Sequence, residues 1–473
     1  MRKSNLKIAL INPPSDVMGT NNSFKRINNL IPSLGFAYIA AVLEENGFKN
    51  LSIVESAIDD LSYEMIEEKM KQTKPDIIGV SCFTPSYYSS EEVGKRIKVI
   101  LPDSICVLGG PHISSCPDDF GDSCFDVGVI GEGEYTFLKL VQQIEKEGMN
   151  NLEKIEGIVF RAGNKVQITQ GREYIKNLDE IPHPARHLQP PFKKHRPLSA
   201  SYVKLPQAYV ITSRGCPTLC TFCDRAVFGE KIRFRSPENV VDEIEMLINN
   251  YGIRDIKFID DTFTVKKSRV YALCDEIEKR KLKFPWECLT RTKAVDKDLL
   301  KRMKEVGCWQ VLYGLESGDD RILKLLKKGT TVQDNVNAVK LAKEVGLNVR
   351  ADFIVGTPGE TYESLYKSLD MALELDVDYA HFNPFEPLPG TEIYRNLISE
   401  GVKINWKKTG IMDFESKKYI PSSLSPNLYN KFLIDAHKKF YLRPKYIFKR
   451  LLSIKSFDQF KGQWQGFLAL LGL

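Results

Sequence analysis

The sequence lacks any apolar segment long enough to cross a membrane. Nothing in its 473 residues approaches the roughly 18 consecutive apolar residues that a spanning helix requires. The N-terminus, MRKSNLKIALINPP, has only a four-residue apolar run before Asn12, which is too short for the core of a signal peptide. Apolar residues make up 42% of the chain and charged residues 27%, as in soluble globular proteins. These features predict a cytoplasmic protein of two or three domains.

Histidine is scarce, and it is absent near the densest group of cysteines. The stretch SRGCPTLCTFCDRA contains Cys216, Cys220 and Cys223 and supplies no fourth cysteine. A structural zinc site takes four nitrogen or sulfur ligands, whereas the nearest histidine, His195, lies 21 residues before Cys216. The spacing therefore disfavours zinc.

The remaining seven of the ten cysteines do not complete the set either. In a reducing compartment they are expected to be buried thiols or metal ligands rather than disulfides. A four-cysteine electron-transfer cluster would need Cys274, Cys288 or Cys308, and none of these lies in a matching motif. The interpretation that remains is a four-iron cluster on three thiolates, whose fourth iron is open to a substrate.

The first 145 residues alternate short Ile- and Val-rich runs with helical patterns, which predicts a doubly wound parallel sheet. In such sheets ligands bind at the carboxyl ends of the strands. Small residues there would let a bulky ligand lie against backbone, although the glycines also fit simple turns. The predicted rim consists of Asn12, Pro13, Pro14, Ser81, Thr84, Gly109, Gly110, Pro111, His112, Gly131, Glu132 and Gly133.

A connector and a second series of strands and helices follow. Residues 146–200 predict a proline-rich connector with a hairpin that turns at Gly163 and Asn164. Residues 201–400 contain six strand-like runs, with helices predicted at 237–250, 268–281 and 332–345. Six parallel units predict a partial (β/α)6 barrel of the TIM type, with its chemistry at the strand carboxyl ends.

The three cysteines, with Phe222 directly before the third, resemble the signature of radical S-adenosylmethionine (SAM) enzymes. The resemblance implies that Cys216, Cys220 and Cys223 hold a catalytic 4Fe-4S cluster and that the open iron chelates the amino and carboxylate groups of SAM. One electron then breaks the sulfonium bond and yields a 5′-deoxyadenosyl radical. It also implies an external electron donor such as flavodoxin or ferredoxin.

Other barrel positions match the same family. Asp260 and Asp261, in FIDDTFT, correspond to polar residues that face the SAM amino group, and the alternative is a cap of the helix near residue 268. Arg291 corresponds to a partner of the SAM carboxylate.

Two further segments complete the expected SAM site. Glu316, in YGLESG, resembles the residue that binds the SAM ribose. The backbone around Gly356 and Pro358, in IVGTPGE, resembles the segment beside adenine.

The N-terminal half resembles the cobalamin-binding domain that precedes the barrel in one large subgroup. The matching stretches are IPSLGFAYIAAVLEENGF, GGPHIS and IGEGEYTF. The D-x-H-x-x-G motif, by which other cobalamin domains supply an axial histidine, is absent. The resemblance therefore implies cobalamin bound without that histidine, and it leaves the lower ligand unidentified.

The subgroup consists largely of methyltransferases, so the resemblance implies transfer of methyl from methylcobalamin to an unactivated carbon of a small-molecule substrate. A cyclase or ring-rearranging enzyme that transfers no methyl is one alternative. A methylthiotransferase acting on tRNA is another, but that family carries a second cluster and an RNA-binding domain that this sequence does not indicate. A non-catalytic corrinoid carrier would not need the cysteine loop.

The C-terminal region, 401–473, has 14 Lys or Arg against four Asp or Glu, and the final part predicts amphipathic helices. One hypothesis packs these helices across the barrel. The other places them on an inner-membrane surface, where each basic residue contributes about 1 kcal/mol, and this location suits a lipid or tetrapyrrole substrate. Aromatic residues lie among aliphatic ones, so no nucleic-acid partner is expected.

Overall fold

The computed structural model describes residues 4–14, 30–404, 419–454 and 456–470. Parts of the predicted first and last regions, 1–3, 15–29, 405–418, 455 and 471–473, lie outside the described residues. The strands are β1 (Ser4–Asn12), β2 (Phe48–Glu55), β3 (Ile77–Ser81), β4 (Ile105–Gly109), β5 (Val127–Val129), β6 (Ile158–Ala162), β7 (Lys165–Ile168), β8 (Gln207–Val210), β9 (Ser213–Arg214), β10 (Arg233–Phe234), β11 (Asp255–Phe258), β12 (Trp286–Thr290), β13 (Cys308–Glu316), β14 (Asn348–Val355) and β15 (Tyr379–Pro384).

Helices alternate with these strands through both sheets. After β15 come one short helix and then three further helices at the C-terminal end. The α-helices are α1 (Leu34–Glu45), α2 (Tyr63–Thr73), α3 (Tyr87–Ile100), α4 (Pro111–Ser115), α5 (Gly133–Glu147), α6 (Pro237–Tyr251), α7 (Lys267–Lys279), α8 (Lys297–Glu305), α9 (Asp320–Leu325), α10 (Val332–Val345), α11 (Tyr362–Glu374), α12 (Glu392–Ser399), α13 (Pro426–Tyr441), α14 (Pro444–Ser453) and α15 (Phe457–Leu470). The helices predicted at 237–250, 268–281 and 332–345 are confirmed as α6, α7 and α10.

The first sheet has the order β2-β1-β3-β4-β5-β6-β7. Its first five strands are parallel, and the predicted hairpin adds β6 and β7 in antiparallel pairing. Separate apolar clusters cover its two faces, as a doubly wound sheet requires. Because the strand order reverses between β1 and β3, their carboxyl ends open a crevice where ligands of such folds bind.

The second sheet is the predicted six-stranded partial barrel, with the order β15-β14-β13-β12-β11-β8. All five pairings are parallel. On β14 the alternate residues Val349, Ala351, Phe353 and Val355 join the main apolar core, so the residues between them face the barrel interior. This alternation decides which side chains the barrel presents to a ligand.

Helix α13 belongs to the barrel core, whereas packing of the final helices across the barrel mouth stays a prediction. Tyr429, Phe432 and Phe440 are buried in that core. The Tyr441 hydroxyl donates to the Ala380 carbonyl oxygen at 2.8 Å and accepts from its N–H at 3.1 Å, so it closes the edge of β15. No helix within the described ranges is long and apolar enough to span a membrane.

Candidate active site at the barrel mouth and the facing rim

The three cysteines lie in the loop that joins β9 to β10. Cys216 and Cys220 are buried and Cys223 is exposed. The Thr218 hydroxyl lies 2.9 Å from the Cys216 sulfur and 3.8 Å from the Cys220 sulfur, so these sulfurs converge. Gly215 has φ +91°, and an added Cβ would lie 2.5 Å from the Lys231 carbonyl oxygen. The loop therefore needs glycine directly before its first cysteine.

The surroundings of the sulfurs favour a bound cation. Although Cys223 keeps exposed surface, desolvation by the surrounding protein raises its pKa to about 12, and the nearby Asp261, Cys220 and Cys216 add to the rise. Arg291 places Nη1 only 3.6 Å from the Cys220 sulfur. Because these surroundings disfavour the thiolate form of Cys223, a bound cation such as iron would be needed to stabilise it.

The arrangement fits a cluster better than a single ion. Within the described part of the chain, no group of three or more His, Cys, Asp or Glu side chains is arranged to hold one metal ion. In a cluster each cysteine binds a different iron, so the sulfurs need not meet at one point. A cavity of about 610 Å³ lies beside them, with Cys220 and Cys223 in its wall. The donor set and the space both suit an iron–sulfur cluster.

The structure separates the two aspartates that the sequence treated as a pair. Asp260 is fully buried and accepts hydrogen bonds from the Thr212 N–H at 2.8 Å and the Ser213 hydroxyl at 2.7 Å. Its carboxylate therefore fixes the end of β8 rather than facing a ligand. Asp261 is exposed beside the cysteine loop, so contact with the SAM amino group stays a prediction for this residue alone. Neither caps α7, which begins after Lys266.

Glu316 has an unexpected partner in Lys328. The Lys328 ammonium lies 2.6 Å from Glu316 Oε1, and both side chains are about nine-tenths buried. Glu316 has φ +62°. An added Cβ at Gly314 would overlap Glu316 Oε1, so glycine leaves room for the carboxylate. Lys328 follows Glu316 by twelve residues across α9, and its sequence context carries no signal that could have predicted the pair.

The segment predicted beside adenine is held by a buried carboxylate. Glu360 accepts from the N–H groups of Gly356 at 2.5 Å and Thr357 at 3.0 Å. Gly356 has φ +87°, and an added Cβ would collide with the Tyr429 hydroxyl. Pro358 is partly exposed at the turn. The turn is thus rigid, and its position beside adenine stays a prediction.

The rim of the first sheet consists mainly of backbone and small side chains. Asn12 donates to Glu55 at 2.9 Å, and Glu55 also accepts from the Ser33 N–H at 2.6 Å. Gly110 has φ +114°, and an added Cβ would lie 2.8 Å from the Cys82 carbonyl oxygen. The positions that complete this edge of the sheet are Pro13, Pro14, Ser81, Gly109, Pro111, Gly131 and Gly133.

His112, although on the rim, turns its side chain into the protein. Its Nδ1 lies 3.1 Å from the Thr84 hydroxyl and its Nε2 lies 3.3 Å from Asp119 Oδ2. The ring packs edge-on against Tyr87, and the side chain is fully buried. Both nitrogens are occupied by protein groups, so the imidazole is not presented as an axial ligand.

Glu132 was predicted to line the rim, but the structure engages its carboxylate elsewhere. Arg214 donates to Glu132 at 2.9 Å and to Glu134 at 2.6 Å. Arg233 also donates to both oxygens of Glu132, at 2.9 and 2.8 Å. Arg214 is 3% exposed and immediately precedes the cysteine loop. The carboxylate of Glu132 therefore joins the first domain to that loop instead of facing a corrinoid.

Two family models match the chain. The model of the radical SAM superfamily covers residues 210–372, which includes the cysteine loop and β11 to β14. The model of the B12 binding domain covers residues 24–141, which includes most of the first parallel sheet.

Three curated relatives match over most of the chain. An uncharacterized methyltransferase of Pyrococcus horikoshii is 35% identical over 96% of both chains. An anaerobic magnesium-protoporphyrin IX monomethyl ester cyclase of Rubrivivax gelatinosus is 30% identical over 84% of this chain and 70% of the relative. A cytidylyl-2-hydroxyethylphosphonate methyltransferase of Streptomyces wedmorensis is 30% identical over 78% of each.

The fold has a solved counterpart. The cobalamin-dependent SAM radical enzyme OxsB, solved with aqua-cobalamin and SAM bound, superposes with a TM-score of 0.74 at 18% identity, covering 99% of this chain and 72% of that one. Together with the relatives and the two domain matches, the cysteine loop and the doubly wound domain show that this chain belongs to the cobalamin-dependent radical SAM enzymes.

Proposed function

We propose that the protein is a C-methyltransferase that uses a 4Fe-4S cluster, SAM and cobalamin to methylate an unactivated carbon of a small molecule. The main support for the proposal is that Arg214, directly before the cysteine loop, binds Glu132 and Glu134 of the first domain and so connects the two cofactor sites. A three-cysteine loop at a barrel mouth is tied directly to a corrinoid-type rim that presents no histidine.

The chain's own residues divide the work. Cys216, Cys220 and Cys223 would hold the cluster, and Arg291 offsets charge at the Cys220 sulfur. Asp261 is proposed to contact the SAM amino group, and Glu316, which Lys328 holds in place, the SAM ribose. When bound, these cofactors supply a carbon-centred radical and a methyl donor. The Arg214 ion pairs keep the two cofactor sites in register.

We propose that the rim of the first sheet binds cobalamin mainly through a surface of matching shape. The rim residues supply N–H groups and small side chains, and Glu55 and Ser33 fix the edge at β1 and β2. The buried imidazole of His112 leaves the lower face of the ring without a protein ligand from this position. An electron donor such as flavodoxin or ferredoxin would serve the cluster.

The membrane hypothesis is confined to the last two helices. Exposed apolar side chains on α14 and α15 include Phe448, Leu452 and Trp464, and basic residues accompany them. Because α13 is part of the barrel core, a truncation that tests lipid or tetrapyrrole access should keep it. Co-sedimentation with anionic vesicles at low and high salt would then support or end the hypothesis.

The test uses anaerobically reconstituted protein and SAM carrying a deuterated methyl group. We expect one cluster, corrinoid absorption bands, and a product heavier by the labelled methyl. The similarity to a cyclase supports a second candidate function, a cyclisation without methyl transfer. In that case 5′-deoxyadenosine would form, but the product would carry no labelled methyl group. Two clusters without corrinoid would favour a methylthiotransferase and overturn the proposal.

A further inference from the structure

The inner wall of the barrel carries a histidine and an aspartate side by side. Asp352 on β14 and His381 on β15 are direct partners in the parallel register. His381 Nδ1 lies 3.2 Å from Asp352 Oδ1, and Arg350 donates to both oxygens of Asp352 at 3.0 and 3.1 Å. Although the pair lies deep in the barrel, 26% of the His381 side chain and 22% of the Asp352 side chain remain accessible. These side chains therefore line a space.

The predicted SAM site lies on the next strand along the barrel wall. Asp352 is in register with Gly314 on β13, and Gly314 has no side chain to cover it. An added Cβ at Gly314 would overlap the Glu316 carboxylate, which places the Glu316–Lys328 pair over the same strand position. On β15, Asn383 lies two residues beyond His381 on the same face and is exposed at the mouth. A substrate beside SAM would thus meet His381.

The 3.2 Å contact with Asp352 indicates which imidazole nitrogen faces the space. A carboxylate that accepts from Nδ1 selects the tautomer with its proton there, which leaves the Nε2 lone pair free to accept. Among the described residues, no hydrogen bond to His381 Nε2 accompanies the Asp352 contact. His381 Nε2 can therefore accept a hydrogen bond from a ligand.

The surrounding charges keep this acceptor available. Burial lowers the pKa of His381 below its usual value, with Arg350 on β14 and Lys257 on β11 adding to the fall and Asp352 opposing it. His437 on α13 packs behind β15 and also has a lowered pKa, chiefly through burial. The imidazole is thus neutral near pH 7. Arg350 is already paired with Asp352, so this wall offers little to an anion.

We infer that His381 Nε2 binds a hydroxyl or N–H group of the substrate and thereby orients the neighbouring C–H bond toward the radical, with Asp352 and Arg350 as positioning residues. The inference rests on the proposed function, because it places a small-molecule substrate at the barrel mouth. It specifies a substrate class: alcohols or amines with the donor close to the reacting carbon.

Accessibility of Nε2 can be tested without the substrate. Diethyl pyrocarbonate, which acylates unprotonated imidazoles, should modify His381 in the reconstituted full chain, as mapped by mass spectrometry. His187, whose side chain is 55% exposed, is the positive control, and the buried His112 is the negative control. Modification of His187 without His381 would overturn the inference.

Substrate recognition is tested with deuteromethyl-SAM and a deproteinised small-molecule extract of the source cells. The labelled product should carry an O–H or N–H close to the new methyl. His381→Phe and Asp352→Asn should raise KM for its purified precursor about fivefold to tenfold, as expected for one lost hydrogen bond, with a smaller change in kcat.

His437→Phe is the matched control, because that imidazole bonds the Leu433 carbonyl oxygen and faces away from the barrel interior. We expect its KM to equal the parent value. A labelled product without such a donor, or an unchanged KM in His381→Phe, would overturn the inference while the proposed function stands. No labelled product at all would overturn both.

Discussion

The barrel mouth and the rim of the first sheet use opposite means to prepare for a ligand. At the mouth, side chains provide the chemistry: three cysteines, Arg291 at 3.6 Å from a sulfur, and the buried Glu316–Lys328 pair. At the rim, the polar side chains are engaged by the protein itself, as in His112 with Thr84 and Glu132 with Arg214. What remains there is backbone and small residues.

The difference follows from what each ligand requires. Iron needs donor atoms at fixed positions, and only side chains supply thiolates. A corrinoid is a large rigid ring, so a surface of matching shape can hold it through backbone groups and van der Waals contact. A single mutation should therefore remove the cluster, whereas the rim should depend on few individual side chains.

The largest expected effect is at the cysteine loop. Changing Cys216, Cys220 or Cys223 singly to Ala should abolish cluster binding and SAM cleavage, because each removes one of three protein ligands. Iron content and 5′-deoxyadenosine formation measure this. Cys274→Ala, at a buried thiol on α7, should retain both activities. A loop variant that kept its cluster and cleaved SAM at the parent rate would contradict the assignment.

The second prediction concerns the junction of the two regions. Arg214→Met should lower the free energy of unfolding by about 3–5 kcal/mol, because it leaves the buried Glu132 and Glu134 carboxylates with fewer cationic partners. Guanidinium unfolding followed by circular dichroism measures the change. Arg302→Met removes an arginine whose acidic partners, Asp275, Glu278 and Glu305, are all half or more exposed, and it should lower the value by less than about 1 kcal/mol. Equal losses would show that the junction has no special role.

The third prediction, with a smaller effect, concerns one buried carboxyl at the rim of the first sheet, Glu55, and one at the barrel mouth, Glu360. Burial raises the pKa of both Glu55 and Glu360 to about 7. A folded-state pKa above the unfolded value means that the stabilisation is complete below about pH 4.5 and is lost as pH rises toward 7. Glu55→Gln and Glu360→Gln should each flatten the decline in unfolding free energy across this window by about 3 kcal/mol, since one pKa unit corresponds to about 1.4 kcal/mol.

Urea titrations at several pH values measure that slope. Glu147→Gln serves as the control: this exposed carboxyl has a pKa lowered to about 2 by hydrogen bonds from Lys146, Gln143 and Asn151, so it does not titrate in the window. If neither Glu55→Gln nor Glu360→Gln changed the pH dependence of the unfolding free energy, the prediction that both carboxyls titrate near pH 7 would be refuted.

The smallest expected effect is at His112. Because its fully buried imidazole contacts Thr84 and Asp119, His112→Gln should leave the electron paramagnetic resonance spectrum of the cobalt(II) protein unchanged. A nitrogen superhyperfine pattern that disappears in the variant would show instead that His112 reaches the cobalt. The rim would then resemble the barrel mouth in using side-chain ligands.

The sequence predicted the positions of strands, helices and motifs better than it predicted the hydrogen-bond and ion-pair partners of individual side chains. The cysteine loop, the six barrel strands and the hairpin follow from local patterns, and each is present in the fold. Asp260 and Asp261, adjacent in FIDDTFT, were assigned one role, but Asp260 is buried and hydrogen-bonded at the end of β8, whereas Asp261 is exposed. Lys328 and Arg214 were missed, because their partners lie far away in the chain.

Local periodicity determined the fold class, and the cysteine spacing predicted the cluster ligands, because both depend on neighbours within a few residues. Tertiary structure alone decided which polar groups remain open to a ligand. Asp352 and His381 lie 29 residues apart in the chain and become partners only when β14 and β15 pair. Glu132 and Arg214 lie 82 residues apart. Whether a charged side chain serves chemistry or structure depends on such distant partners, since they set its solvation and its remaining hydrogen bonds.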